Sequence, residues 1–480
     1  MEWHKLLSVE KLMDEEPDDE SWKQYPINEF EKDYNKIVSC AAFRRLQDKT
    51  QVFPLDKSDF VRTRLTHSIE VSTIARQLGI MISKNTTSYK LDDIKPNEAE
   101  GIASVLLCAG LLHDIGNPPF GHFGETTIRE WFRNNLCDIE YKGKKIKELF
   151  INDKQSIQML CDLENFEGNA QAFRILAKAQ YKSEINLSAA IVSTMVKYPT
   201  DSISFNNDDP DIIKHKNGYF FAEYETLKRI SGMVGTFINN KINRHPLTYL
   251  LEAADDIAYV TADIEDAFKK NLFSINDFII FFESRIKVGN GEHDRYSQQL
   301  IDNLKERKHD RNYKDEYQIF KEWSTYVRRW LMYSAVFGFS YSYNYKKIMN
   351  GEYENNLFYN TYNEMTINIM KHDIMRKFVY NTQNILKLEL SSQTILNFLL
   401  TKFINAIIYY DSEEGIYKLT ESNKKIIKII PDNFIRDYNN AKNHDEINKL
   451  YLRLLIITDY ISGMTDSYAR TLYRELSGIE

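Results

Sequence analysis

The 480-residue chain is poor in cysteine, has no long apolar run and has no excess of positive charge, and each feature excludes a class of protein. Its four cysteines (Cys40, Cys108, Cys137 and Cys161) have no paired spacing, which predicts reduced thiols. No run of about 18 apolar residues is present to span a membrane. The N-terminus lacks a signal-peptide pattern, so we expect a cytoplasmic protein. The net charge of −7 argues against a protein that coats nucleic acid, and any polyanionic ligand must be met by local basic groups.

Internal repeats, heptad arrays, low-complexity tracts and strand-rich blocks are also missing. Apolar residues instead recur at helical spacing over most of the chain, and a hydrophobic content of 43% is ample for a core. These features predict an all-α protein that forms one compact body with peripheral helices. The acidic residues 1–25 are predicted to form an N-terminal arm.

The stretch from Leu106 to Glu125, LLCAGLLHDIGNPPFGHFGE, is the most informative part of the chain. An apolar run ends abruptly at His113-Asp114, and a Gly/Pro loop with a second histidine, His122, follows. Adjacent residues on a helix point about 100° apart, so both side chains can touch one ion only if it lies between their faces. A surface pair or a capped helix end is the alternative. We favour a site, because the pair closes an apolar run and irregular backbone follows it.

His67 begins the apolar stripe of an earlier predicted helix, since apolar residues follow it at +4, +7, +8 and +11. A histidine in that position is often a satisfied core residue. Arg62 and Arg64 lie just upstream, and two arginines beside an inward-facing histidine indicate a nearby anion.

Residues 245–268 form a third informative helix, HPLTYLLEAADDIAYVTADIEDAF. Asp255, Tyr259 and Asp263 follow one another at intervals of four residues and are predicted to stack on one helix face. Acids among so many apolar residues need a partner, because a buried unpaired carboxylate is costly. A cation or polar ligand would provide one; the alternative is pairing with arginines in a helical core.

Two imidazoles and two carboxylates from three helices suit a divalent ion such as Mg, Mn, Fe or Co. Four protein ligands leave coordination positions for water and a phosphate oxygen, as metal-assisted hydrolysis requires. The chain has no Walker A pattern and no GxGxxG motif, so a glycine loop is not expected to bind the phosphates.

Five segments together resemble the bacterial deoxyguanosinetriphosphate triphosphohydrolases of the HD-domain phosphohydrolase superfamily. They are RTRLTHS, HDIGNPPFGHFGE, NFEGNAQ, HPLTYLLEAADDIAY and DYISGMTDSYA, in the same order and spread over most of the chain. The resemblance implies an all-α fold with an HD-type catalytic core at residues 26–275. It also implies that helical residues 276–480 pack on that core and complete a nucleotide pocket, although no motif is recognised in residues 270–450.

The resemblance also implies roles for individual residues. The metal ligands would be His67, His113, Asp114 and Asp255; Asp256 is the alternative to Asp255, which we prefer because Tyr259 and Asp263 share its face. His122 and Glu125 would be the catalytic pair, with His122 acting as base for the water or as acid for the leaving oxygen. The residues implied to bind substrate are Gln51, Arg64, Asn169 (or Asn165), Lys197, Tyr259 and Asp263, with Arg62 a weaker candidate.

The implied activity is hydrolysis of dGTP, and of other dNTPs if specificity is broad, to the deoxynucleoside and inorganic triphosphate. The implied cofactor is a divalent metal ion, Mg or Mn, with Fe, Co or Ni as alternatives. A homo-oligomer and regulation by single-stranded DNA are expected by analogy. The rival hypotheses are an HD phosphodiesterase acting on another nucleotide, and a non-catalytic nucleotide sensor or nucleic-acid-binding HD protein.

Overall fold

Helices make up nearly all of the regular secondary structure. The computed structural model describes residues 1–13, 28–53, 60–178, 185–286, 292–310, 315–380, 383–440 and 445–479. The α-helices are α1 (Trp3–Leu6), α2 (Glu29–Ser39), α3 (Ala41–Arg44), α4 (Arg64–Ser88), α5 (Pro96–Leu112), α6 (Gly121–Asn135), α7 (Ile146–Leu149), α8 (Lys154–Glu164), α9 (Gly168–Ala177), α10 (Ala189–Met195), α11 (Tyr224–Met233), α12 (Pro246–Ala258), α13 (Ile264–Lys269), α14 (Ile275–Ile286), α15 (Glu292–His309), α16 (Glu316–Ser340), α17 (Ser342–Asn350), α18 (Glu364–Asn368), α19 (Gln383–Ile407), α20 (Gly415–Lys418), α21 (Glu421–Ile429), α22 (Asp432–Asn440), α23 (Glu446–Ser462) and α24 (Asp466–Ser477).

The remaining regular elements are short. Within the described residues, 3-10 helices cover Arg45–Asp48, Ile212–Lys214 and Phe221–Glu223, and π-helical segments cover Tyr259–Asp263 and Ile369–Tyr380. Two antiparallel hairpins pair β1 (Glu140–Tyr141) with β2 (Lys144–Lys145) and β3 (Phe237–Ile238) with β4 (Lys241–Ile242). The prediction of an all-α protein is therefore confirmed.

The buried apolar side chains form two clusters. The first is built mainly from α1–α5 and α10–α18. The second is built mainly from α6–α8, α19 and α21–α24. Helix α9 contributes to both, and α19 packs against α6. The C-terminal helices therefore share a core with α6, which begins in the informative Leu106–Glu125 stretch.

Local sequence accounts for the helix starts near the site. Thr63 caps α4 in a capping box, so this helix begins just before His67. Pro246 occupies the first turn of α12, where its missing N–H costs nothing. His245 Nδ1 accepts a hydrogen bond from the Leu247 backbone N–H (3.2 Å). Burial lowers the pKa of His245 to about 4, which keeps its ring neutral and able to accept that bond.

Gly110 allows α4 and α5 to approach closely. A Cβ at Gly110 would lie 2.4 Å from the Ser72 Cα atom, so any side chain there would push the helices apart. This contact brings the first turn of α4 beside the C-terminal end of α5. His67 and His113 therefore become neighbours.

The first thirteen residues pack against the body of the protein. Trp3, Leu6 and Leu12 are buried. Residues 14–25 of the predicted arm lie outside the described residues. Within the described residues, no helix combines the length and apolar character needed to cross a membrane.

Candidate metal centre and reactive pair

The four predicted metal ligands lie close together. Among the described residues, His67, His113 and Asp114 place ligand atoms within 4.8 Å of one another. Asp255 Oδ1, on α12, lies 3.2 Å from His67 Nε2 and 3.4 Å from His113 Nε2. Neighbouring ligand atoms of an ion bound at about 2.1 Å are about 3 Å apart. The observed spacings therefore suit a single divalent ion.

The protonation pattern of His113 also suits a metal. Its Nδ1 donates to the Gly110 carbonyl oxygen (2.8 Å), so the neutral ring presents a lone pair at Nε2. That Nε2 is buried and has no hydrogen-bond partner among the described residues. Burial lowers the pKa of His113, but the nearby Asp114 and Asp255 carboxylates outweigh burial and raise it. A metal ion would replace the proton that these carboxylates attract.

Two cations balance the two carboxylates. Arg64 donates to Asp114 Oδ2 (2.7 Å), and Lys197 donates to Asp255 Oδ2 (2.7 Å). Burial alone would raise the pKa of Asp114, but Arg64 holds it well below its usual range. Lys197 does the same for the pKa of Asp255 against the effect of burial. Both acids are therefore ionised, as metal ligands must be.

His122 and Glu125 form a hydrogen-bonded pair at the start of α6. His122 Nδ1 lies 3.0 Å from Glu125 Oε2, with 77% of the His122 side chain exposed and 2% of the Glu125 side chain exposed. The Gly168 backbone N–H donates to the other carboxylate oxygen, Glu125 Oε1 (2.9 Å), and so helps to fix the carboxylate. Burial would raise the pKa of Glu125, but His122 lowers it to about 2. Glu125 is therefore a charged acceptor that orients the imidazole.

One cavity of about 460 Å³ contains these groups, a size within the usual range for small-ligand sites. The four ligands, His122 and Glu125 all line it. The predicted substrate-binding residues that also line it are Gln51, Arg64, Asn169, Lys197 and Tyr259. The side-chain oxygen of Gln51 is buried without a hydrogen-bond partner among the described residues, which leaves it available to a ligand.

The sequence of this chain is similar to those of known proteins. The family model described as HD domain matches residues 64–195. A deoxyguanosinetriphosphate triphosphohydrolase-like protein from Listeria innocua is 42% identical over 485 residues, covering 100% of both chains. A protein of the same name from Synechocystis is 31% identical, again over 100% of both chains. A deoxyguanosinetriphosphate triphosphohydrolase from Yersinia enterocolitica is 30% identical over 94% of both chains. The chain belongs to the deoxyguanosinetriphosphate triphosphohydrolase family.

Family membership confirms the resemblance drawn from the five sequence segments, and it places the chain among the HD-type hydrolases. The HD match includes His67, His113, Asp114, His122 and Glu125. Asp255 lies beyond it. HD domains depend on metal ions, which agrees with the donor set found in this member of the family.

The two adjacent acids of α12 have different partners. Asp255 faces the histidines, whereas Asp256 accepts from Lys371 Nζ (2.6 Å). Both line the cavity. Asp255, the acid that the sequence argument preferred, is therefore the one of the two that lies beside the histidines.

Asp263 does not stack with Asp255 and Tyr259 on the cavity side of the helix, as the spacing of four residues predicts. That spacing applies to a regular α-helix, but Tyr259–Asp263 is π-helical, and its i→i+5 hydrogen bonds add about one residue to the turn. Asp263 is buried, does not line the described cavity, and has no hydrogen-bond partner among the described residues. Burial raises the pKa of Asp263 well above its usual range, with Asp266 adding to the effect.

Two other candidates for substrate binding, Arg62 and Asn165, have their partners outside the cavity. Arg62 pairs with Glu70, Glu265 and Asp266, so its charge is already balanced. Asn165 accepts a hydrogen bond from Arg133 (2.6 Å). Neither residue lines the described cavity.

Several cavity residues were missed by sequence reasoning. Lys216 lies outside any helix or strand, yet it lines the cavity and donates to Glu167 (2.9 Å). Lys371, Tyr380 and Glu389 come from the region without a recognised motif. Lys371 and Tyr380 lie in a π-helical segment, whose residues do not follow the α-helical period.

Proposed function

We propose that this chain hydrolyses deoxynucleoside triphosphates, dGTP foremost, to the deoxynucleoside and inorganic triphosphate. The observation that carries the proposal is the meeting, in one cavity, of a four-residue metal-ligand set and the His122–Glu125 pair. The names of the relatives over the full length of the chain support the same substrate. The rival hypotheses, an HD phosphodiesterase and a sensor, do not account for the oriented histidine beside the ligands.

The charge of the cavity makes triphosphate binding depend on metal. Among the described residues, its lining has seven carboxylates against four lysine and arginine side chains. The cations are Arg64, Lys197, Lys216 and Lys371, and each is paired with a carboxylate. A bare polyanion would meet net repulsion there. Divalent cations are needed to reverse the balance and release basic side chains toward the phosphates.

The chemistry requires an oxygen–phosphorus bond to form and another to break. The water oxygen attacks the α-phosphorus, the bond from that phosphorus to the 5′-oxygen breaks, and a proton of the water ends on the 5′-oxygen. Held by His67, His113, Asp114 and Asp255, a divalent ion would supply polarisation of a phosphate oxygen and activation of water.

The chain's own proton carrier is His122. Glu125 accepts from Nδ1, so the neutral imidazole presents a lone pair at Nε2 and the protonated one presents an N–H there. His122 can therefore take the proton from water or deliver one to the departing alkoxide. Glu125 stabilises the imidazolium in either role, because it is ionised and buried.

The base-recognition part of the proposal rests on Glu389. Its carboxylate lines the cavity and has no hydrogen-bond or ion-pair partner among the described residues. Guanine offers two adjacent donors, the ring N–H and the amino group, which one carboxylate can accept together, whereas adenine lacks this pair. The rings of Tyr259 and Tyr380 line the same cavity and offer faces for stacking.

Glu389→Gln is expected to reduce the preference for dGTP over dATP by about 10- to 100-fold, because a bidentate contact contributes about 1–3 kcal/mol of discrimination. The measurement is kcat/KM for dGTP, dATP and deoxyinosine triphosphate, which lacks the amino group. The original chain should favour dGTP over deoxyinosine triphosphate, and the variant should lose most of that margin. An unchanged ratio would remove Glu389 from base recognition.

The proposed activity is tested by incubating the protein with dGTP and Mn²⁺ and separating the products. We expect deoxyguanosine and inorganic triphosphate in equal amounts, and no reaction after chelation by EDTA until Mn²⁺ or Mg²⁺ is restored. Release of phosphate or pyrophosphate would instead support a different HD hydrolase. Binding of dGTP without any product would support the sensor hypothesis.

A further inference from the structure

The turn that delivers His122 has an unfavourable backbone. Phe120 has φ of 65° and Gly121 has φ of 63°, so two consecutive residues are left-handed immediately before α6. A bulky residue adopts this conformation only when its surroundings hold it there. The Phe120 side chain is buried in the second hydrophobic cluster, among residues of the C-terminal helices.

The side chain of Asp466, at the start of α24, binds the backbone of the same turn. Its Oδ1 accepts from the Phe120 N–H (2.8 Å), and its Oδ2 accepts from the Thr50 N–H (3.1 Å) and the Thr50 hydroxyl. Asp466 is 2% exposed. Burying a carboxylate is costly, and Thr465 already caps α24 by accepting from the Tyr468 N–H (3.2 Å). The Asp466 carboxylate is therefore not needed to start the helix.

Lys49 makes a second link between the same two parts of the chain. Its Nζ donates to the Asn117 carbonyl oxygen (2.6 Å) and to the Ser462 carbonyl oxygen (2.7 Å), at the end of α23. The Asn117 side chain in turn donates to Asp114. The loop between the metal ligands and His122 is thus attached at two points to the corner between α23 and α24.

We infer that Asp466 is a positioning residue for His122: it holds the Phe120–Gly121 turn and so sets where the imidazole enters the cavity. His122 itself is 77% exposed, and its side chain is hydrogen-bonded, among the described residues, to Glu125. Its position therefore depends on the backbone that leads into α6. The inference rests on the proposed proton-transfer role of His122.

The test compares Asp466→Asn with Thr465→Ala. Each of the two backbone N–H groups now binds a different oxygen of the Asp466 carboxylate. Asparagine replaces one of these oxygens with an NH₂ group, so one of the two N–H groups would face a donor instead of an acceptor. We expect kcat for dGTP to fall by about 100-fold, since a misplacement of about 1 Å can cost that much. KM and Mn²⁺ affinity should change less than about twofold, because the ligands and cations keep their contacts. Thr465→Ala should lower Tm by a few degrees and leave kcat unchanged, because it loosens the helix start without touching the turn.

Crystal structures of the original chain and of Asp466→Asn make the test independent of the reaction. We expect Phe120 to leave the left-handed region and the His122–Glu125 contact to open in the variant. If the original chain releases no triphosphate, the proposed function fails, and the structures still decide whether Asp466 positions His122. An unmoved His122, an unchanged kcat, or an equal loss of kcat in Thr465→Ala would overturn the inference.

Discussion

Asp255→Ala is expected to lose the divalent metal and, with it, nearly all turnover. Asp255 Oδ1 lies within 3.4 Å of both histidine Nε2 atoms, so its removal opens one side of the donor set. Loss of groups that only orient ligands lowers metal affinity by about 10- to 100-fold. Loss of a direct ligand should cost more than that. Mn²⁺ titration of the purified variant measures the affinity, and the product assay measures the turnover.

Asp256→Ala is the matched control, because it removes an acid from the same helix and the same cavity. Asp256 contacts Lys371 and not the histidines. We expect Asp256→Ala to lower the metal affinity by about tenfold, as the loss of a group that only orients a ligand does. Thermal unfolding of both variants checks that α12 remains folded. A larger metal loss in Asp256→Ala than in Asp255→Ala would assign the ligand position to Asp256.

His122→Ala should remain able to bind Mn²⁺ and dGTP while kcat falls by about 10²- to 10⁴-fold, the usual contribution of a positioned acid or base. The His122 side chain is mostly exposed and is hydrogen-bonded through Nδ1 to Glu125, so its loss should not disturb the fold. Calorimetric titration with dGTP in the presence of Mn²⁺ measures binding in the inactive variant. Single-turnover product release then measures the chemical step.

His372→Ala is the corresponding control, since this histidine also lines the cavity and no part in proton transfer is proposed for it. Its kcat should stay within about threefold of the original, because no general acid or base is removed. Equal losses in the two variants would indicate a loss of cavity polarity rather than of a proton carrier. Full activity in His122→Ala would remove the role assigned to that residue.

The clustering of the candidate metal ligands was predictable because the sequence signal of each is local. His67 and His113 each stand at a boundary between an apolar helical stripe and polar sequence, and Asp255 stands among small apolar residues on a third helix. Burial of such polar groups requires a partner, so the pattern indicates a shared site before any coordinates are known. The all-α class followed in the same way from helical periodicity.

The residues that could not be predicted depend on departures from regular geometry or on distant contacts. Asp263 was placed on the wrong helix face because a sequence does not show where a helix changes from α to π. Lys216 and Glu389 reach the cavity through tertiary packing, which no spacing rule encodes. Thr465 caps α24, whereas the neighbouring Asp466 binds the Phe120 backbone N–H, a contact with a distant part of the chain that local sequence does not show.

The partnership between Phe120 and Asp466 joins positions 346 residues apart. The segment matched by the HD family model, residues 64–195, contains His122 but neither Asp466 nor the C-terminal members of the hydrophobic cluster to which Phe120 belongs. If that segment were excised or transplanted into another helical scaffold, it would keep three of the candidate ligands. It would lose the C-terminal residues that hold the turn before His122. We therefore expect residues 64–195 alone to be a poor catalyst.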